Sequence, residues 1–372
     1  MMMAAALGVL VSCGSVKSGE EVVAASRDSK VVVAYVTSWS EVMPDPQYMT
    51  HINYAFGHVN ESFNGVKIDN EERLRQIVDL RKQKPELKVL LSIGGWGSGR
   101  FSEMAANDEY RRAFAADCDR VVKEFALDGI DIDWEYPTSS MANISSSPDD
   151  TENFTLLMQD IRAAIGNEKE LTLATVASAR YIDFKAILPS VDFVNIMAYD
   201  MASAPKHHSA LYPSGHSGDI TSDGAVTAHL KAGVPPSKLV MGMPFYGRGG
   251  DGYPSFQDYN KVGNTDTQYT EKWDEVAQVP YLADKNDTLV FGFENPRSLA
   301  IKCQYILDKD LLGGMYWDYS GDNEQGDLRR TVAENLLGKP HKAKVLVLTE
   351  RGGQHGLSLI HISEPTRLQL IS

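Results

Sequence analysis

Between residues 30 and 338 the chain alternates short apolar runs, rich in β-branched residues, with stretches of helical spacing. The strand-like runs fall at 31–36, 51–57, 88–93, 128–137, 171–178, 193–198, 239–244 and 313–317. Helical spacing marks 71–84, 107–125, 150–165, 181–188, 222–233, 296–307 and 327–337. In 71–84, Leu74, Ile77, Val78 and Leu80 make one apolar face, and Asn107 is a plausible cap for the helix that follows it. Strands that are apolar nearly throughout are covered on both faces. Eight of them separated by helices predict an α/β fold, a single (β/α)8 barrel of the TIM type. An open, doubly wound sheet is the alternative. It would want a Gly-rich phosphate turn after the first strand, and Val36-Thr37-Ser38-Trp39 is not one.

One run breaks the apolar rule. Residues 128–137 read DGIDIDWEYP. Side chains alternate along a strand, so Asp131, Asp133 and Glu135 share one face and Ile130, Ile132 and Trp134 the other. Burying a carboxylate without a partner costs several kcal/mol or forces it to take up a proton. A structural core has little reason to accept this; a proton-transfer site does. A solvated edge strand would not need Ile-x-Ile-x-Trp opposite its acids. A loop for a hard cation would use Gly and backbone carbonyls in a turn. The catalytic reading puts Glu135 at the mouth of the strand with the two Asp residues behind it.

Composition sets outer bounds. With 372 residues the chain can bury a large core, and a net charge of -14 argues against a nucleic-acid backbone as partner. Three Cys cannot make a disulfide framework and their spacing fits no metal site; Cys118 and Cys303 fall in helix-like stretches and are expected in the core. No metal or other cofactor is expected. The loop 206–223, with His207, His208 and His216, either shapes a groove or is a solvated loop.

Catalytic residues of such barrels sit at the C-terminal strand ends. Those ends carry Tyr35 and Trp39, then Phe56, Ser92 and Trp96, then Asp133, Glu135 and Tyr136. Later strands add Met197, Tyr199 and Asp200, then Tyr246 and Arg248, and finally Trp317. A single aromatic there is usually core. Nearly one per strand at the same rim suits a sugar, whose apolar ring faces stack on aromatics while acids and Tyr bind its hydroxyl and amide groups.

These residues carry a resemblance. DGIDIDWEYP, with SIGGW at 92–96, MAYD at 197–200, MPFYGR at 243–248 and GGMYWDYSGD at 313–322, resembles glycoside hydrolase family 18, the chitinases and related enzymes. The likeness runs from about Val31 to Leu337. It implies that the substrate supplies the nucleophile, the acetamido oxygen of N-acetylglucosamine. Glu135 would protonate the leaving oxygen and then activate water. Asp133 would accept the acetamido N–H and share a proton with Asp131, Tyr199 would donate to the acetamido oxygen, and Asp200 would hold that edge of the sugar. Trp317 would floor the distorted ring, and Ser92 and Tyr35 would support Asp131. Phe56, Trp96, Tyr136, Met197, Tyr246 and Arg248 complete the expected substrate-binding set. Many chitinases insert an α+β subdomain after the seventh strand. Here only 249–295 is available, so a short insertion and a shallower groove are expected. The implied partner is an N-acetylglucosamine oligo- or polysaccharide, cleaved at β-1,4 bonds by a monomeric enzyme. Alternatives are an endo-β-N-acetylglucosaminidase acting on N-glycans and a non-catalytic sugar binder of the same fold. Such binders typically lack the last acid, which is present here.

The ends read differently. Residues 1–13 (MMMAAALGVLVSC) have the short apolar run and small-residue ending of an export signal, and are too short to span a bilayer. Leu10-Val11-Ser12-Cys13 resembles the bacterial lipobox, which implies lipid on Cys13 and a cell-envelope location; no Lys or Arg precedes the run. Residues 14–29 read as a tether. Residues 339–356 read as a linker and the start of a second α/β domain, with a strand at 344–348. Residues 357–372, with LSLIHISEPTR, resemble the translation of a sequencing-library adapter and are expected to be an artefact.

Overall fold

A computed structural model describes residues 30–250, 252–262, 268–338, 345–351 and 354–360. The apolar leader with Cys13, the tether 14–29 and the segments 339–344 and 361–372 lie outside the described residues.

In chain order the elements are β1 (Val31–Thr37), β2 (His51–Val59), β3 (Val66–Ile68), α1 (Glu71–Val78) and β4 (Lys88–Gly94). Next come α2 (Phe101–Ala106), α3 (Asp108–Glu124), β5 (Gly129–Asp133), α4 (Asp150–Ile165), β6 (Glu170–Val176), α5 (Phe184–Ile187) and β7 (Phe193–Met197). α6 (Ser222–Lys231) leads to β8 (Leu239–Pro244). An insertion follows, built from β9 (Tyr246–Gly249), β10 (Gln257–Asp258), β11 (Thr270–Asp274), β12 (Val279–Ala283) and β13 (Leu289–Gly292). α7 (Pro296–Asp308), β14 (Gly313–Trp317) and α8 (Asp327–Leu336) complete the barrel. β15 (Val345–Arg351) and β16 (Gln354–Ile360) pair as a separate antiparallel hairpin.

The parallel strands run β1–β14–β8–β7–β6–β5–β4–β2, and β2 pairs back onto β1, so the sheet closes. This is the expected (β/α)8 barrel. Its two layers follow from strand alternation. Val32, Ala34 and Val36 of β1 and Ile130 and Ile132 of β5 join the large core between strands and helices, together with Trp134. Val33 and Tyr35 point inward, where Phe56, Phe193, Val240 and Met315 fill the barrel. Asp131 and Asp133 share that inner face and are 0% and 4% exposed. The insertion folds its five strands into one antiparallel sheet, β10–β9–β13–β12–β11.

Local signals explain the helix ends. Asn107 caps α3 by accepting from the backbone N–H of Glu109 and Tyr110 at 2.9 and 3.0 Å. Asn295 and Ser298 form a reciprocal capping box at α7, with Pro296 in its first turn. Cys118 and Cys303 are buried free thiols in α3 and α7.

Several boundaries differ from the periodicity. The acid-bearing strand ends at Asp133, so Trp134, Glu135 and Tyr136 lie past it in irregular backbone that bends at Glu135. The helix read at 71–84 is α1 followed by a 3-10 turn at Asp79–Lys82, and that at 181–188 shrinks to α5. The short α2 and β3 carried no distinct signal.

Candidate active site

The inner face of β5 meets its neighbours at Asp131. One carboxylate oxygen accepts from Tyr35 Oη and Ser92 Oγ, both at 2.8 Å. The other accepts from Thr172 Oγ1 at 2.6 Å and Asn195 Nδ2 at 3.4 Å. Burial raises the affinity of Asp131 for a proton, and these four hydrogen bonds oppose the rise. Asp133, two residues further along the same face, has a buried Oδ1 with no partner among the described residues. Burial first, then the charges of Glu135 and Asp131, push its carboxyl well above the ordinary range. Asp131 is thus the better hydrogen-bonded of the two acids, and the charged form of Asp133 is the less supported.

Glu135 stands past the strand end. Burial pushes its carboxyl up to about 7; a hydrogen bond from Tyr136 draws it down and the charge of Asp200 adds to the rise. Tyr199 is a fully neutral phenol, raised by burial and by the negative charge of Asp133, Glu135 and Asp200. Its hydroxyl lies 3.8 Å from Met315 Sδ. Asp200 behaves oppositely. Burial would raise it, but the Arg248 guanidinium grips both its oxygens at 2.7 Å and His208 adds a further contact at 3.4 Å. The result is a carboxylate held far below its usual range.

Aromatics wall the cleft around the acids, which has a volume of ≈ 710 Å³ beside the ≈ 990 Å³ of a second cavity. The larger cavity lies elsewhere, between the insertion and the start of α8, lined by Tyr259, Glu271, Asn295, Asp322 and Arg329. In the acid-bearing cleft Trp317 sits among aromatics: Phe56 stacks on it at 5.6 Å and Tyr35 and Trp39 flank it at 5.6 and 6.5 Å. Trp39 and Trp96 stand 63% and 61% exposed at the edges. Tyr136 meets Trp96 at 6.5 Å and stacks on Tyr181 at 5.4 Å.

The cleft therefore gathers Tyr35, Phe56, Trp96, Asp133, Glu135, Tyr136, Met197, Tyr199, Asp200, Tyr246, Arg248 and Trp317. Asp131 and Ser92 are absent from its lining. Both are 0% exposed, and Ser92, expected among the substrate-binding residues, serves Asp131 from below. The reading of 206–223 as a solvated loop is overturned for two of its histidines: His207 and His208 are buried, with Asp274 and Asp200 as partners, while His216 is exposed. Thr172 and Asn195 escaped the sequence reading, although both are polar residues in otherwise apolar strands. The sequence marks His208 only as one of three histidines in a loop, because its partner is set by the path of that loop.

A carboxyl whose proton affinity is raised toward neutrality, backed by two further acids in an aromatic cleft at the mouth of a (β/α)8 barrel, is an arrangement suited to acid–base chemistry on a glycosidic bond. The comparisons narrow the class. The sequence matches the description "Glycosyl hydrolases family 18" over residues 31–322, and the chain belongs to that family. It is 30% identical to Chitinase A1 of Niallia circulans over 81% of this chain and 58% of that protein. It is 31% identical to Chitotriosidase-1 of Mus musculus over 79% of this chain and 74% of that one. Among solved structures, a family 18 N-acetylglucosaminidase from Paenibacillus barengoltzii superposes with a TM-score of 0.76 at 32% identity, covering 82% of this chain and 99% of its own. The chain thus spans little more than half of the first of these relatives and nearly the whole of the last.

Proposed function

We propose that this protein hydrolyses β-1,4 bonds in N-acetylglucosamine polymers, chitin or its oligosaccharides, by substrate-assisted catalysis with retention. The observation that carries the reading is the grouping of Glu135, raised to about 7, with the unpartnered Asp133 and the neutral Tyr199 in one cleft. Glu135 gives its proton to the glycosidic oxygen as the bond from C1 breaks. The acetamido oxygen of the same sugar closes on C1, an intramolecular attack that needs no encounter with a second molecule. Asp133 accepts the acetamido N–H after passing its proton to Asp131, and the phenol of Tyr199 donates to the acetamido oxygen. Trp317 supports the distorted ring, and Asp200, paired with Arg248, holds its edge. The Glu135 carboxylate then takes a proton from water, which opens the ring at C1 with the original configuration. Neither step calls on a cofactor.

The test is a product profile on chitin oligomers with wild type and Glu135→Gln. The variant should lose turnover by at least about 10²-fold and still bind oligosaccharide. Cleavage at near wild-type rate would remove Glu135 from its role. A second reading, release of N-acetylglucosamine-containing glycans by endo-β-N-acetylglucosaminidase action, would use the same acids on a different aglycone. A fluorogenic chitobioside run beside a high-mannose glycoprotein separates the two. The intact Glu135 speaks against a non-catalytic sugar binder. We also place the protein in the cell envelope as a monomer tethered through lipid on Cys13; Cys13→Ala should then leave the membrane fraction in a bacterial host.

A further inference from the structure

We infer that His208 is a positioning residue for Asp200, held in place by its two chain neighbours. The inference rests on the reading above, in which Asp200 holds one edge of the sugar.

Three consecutive side chains reach three different elements. His207 Nε2 meets Asp274 Oδ2, at the end of β11, at 3.1 Å. Ser209 Oγ donates to Glu294 Oε1 at 2.7 Å, and its carbonyl accepts from Lys302 Nζ of α7 at 2.5 Å. Between these anchors His208 is 1% exposed, with Nδ1 3.4 Å from Asp200 Oδ1 and 3.3 Å from Asp200 N. Its ring packs on Tyr246 at 5.3 Å. The tripeptide is a strap from the insertion and α7 to the edge of the catalytic cleft.

Asp200 needs such a hold. Its backbone is left-handed, with φ at 53°, a conformation that a non-glycine residue keeps only when its surroundings impose it. Arg248 fixes its carboxylate from one side. His208 faces both the carboxylate and the backbone N–H through a single ring nitrogen. A neutral imidazole can serve only one of them at a time: Nδ1–H donates to the carboxylate, or a bare Nδ1 accepts from the N–H. The bond to an ionised carboxylate is the stronger, so an ionised Asp200 selects the Nδ1–H tautomer. His208 Nε2 is buried and has no partner among the described residues, so no bond seen on the far side of the ring competes for the choice.

Two measurements on the full chain test this. Long-range proton–nitrogen NMR of His208 should report the Nδ1–H tautomer in wild type and the Nε2–H tautomer in Asp200→Ala; the same tautomer in both overturns the proposal. In turnover of a fluorogenic chitobioside, His208→Leu should lower kcat roughly 10- to 100-fold, with a smaller change in KM. His208→Asn, whose amide can reach the same two groups, should recover most of that loss. In an Asp200→Ala background, His208→Leu should cost nothing further. Additive losses, or equal losses in the Leu and Asn variants that track a fall in Tm, reduce His208 to packing and sink the idea. A wild type inert on every N-acetylglucosamine substrate would sink the functional reading instead, and the NMR comparison would still decide whether His208 is coupled to Asp200.

Discussion

Glu135 takes its character from position. Burial above all, and then the Asp200 charge, favours its protonated form, and the Tyr136 hydrogen bond opposes them. Activity that needs this proton must fall as pH rises through about 7, and a pH–rate profile for kcat/KM with no basic limb up to about pH 9 would contradict the assignment. Stability follows the same group. Its folded value of about 7 lies above the ordinary 4.5, so the folded state binds the proton more tightly. The resulting stabilisation is complete below about 4.5 and is lost as pH rises through about 7. Glu135→Gln cannot titrate and escapes that loss. At pH 8 it should therefore be more stable than wild type, by on the order of 1–3 kcal/mol, and thermal melts across pH 5–8 would read the crossover.

At the scale of elements, glycines let the strands bring these side chains together. Gly94 ends β4 at φ 130°, and a Cβ there would stand 1.9 Å from the carbonyl oxygen of Asp133. This is the physical content of the Gly-Gly in SIGGW: β4 must pass against the backbone that carries the acid. Gly242 in β8 plays the matching part on the other side of the barrel. A Cβ on it would lie 2.4 Å from the Ile196 carbonyl oxygen and 2.9 Å from the Tyr199 ring. Gly242→Ala should destabilise the protein by about 1–3 kcal/mol and displace Tyr199. Its kcat should fall by more than the loss of folded protein accounts for, which comparison of active-site titre with circular dichroism would check.

At the scale of the whole molecule, the insertion is joined to the barrel by buried charge. Lys302 and Glu294 pair with both side chains 0% exposed, and the Ser209 carbonyl and hydroxyl complete the cluster. Removing one partner leaves the other charged and buried, so Lys302→Met should cost about 3–5 kcal/mol. The Lys302→Met/Glu294→Leu double variant should recover much of that stability, as denaturant unfolding would show. Because the proposed mechanism draws its acid from Glu135 and its nucleophile from the substrate, prolonged dialysis against a chelator should leave turnover unchanged; a loss restored by a divalent ion would demand a different mechanism.

The linear chain determined the barrel, because its evidence is periodic and local: apolar runs and helical stretches repeat, and a strand's alternation alone assigns Asp131 and Asp133 inward and Ile130 and Ile132 outward. It also named most of the cleft, since catalytic side chains of a barrel cluster at strand ends, where motifs such as MAYD and DGIDIDWEYP can be seen. The end of β5 at Asp133 was not legible, because Trp134 and Glu135 continue the alternating pattern past the last ladder hydrogen bond. Of the four donors around Asp131, which come from four different strands, the family resemblance implied Tyr35 and Ser92, while Thr172 and Asn195 were not legible. The tertiary structure alone decided which acid is satisfied by hydrogen bonds and which is not, and that His208 lies behind Asp200. Proton affinity depends on burial and on partners far apart in the chain, and neither is a property of any one stretch of sequence.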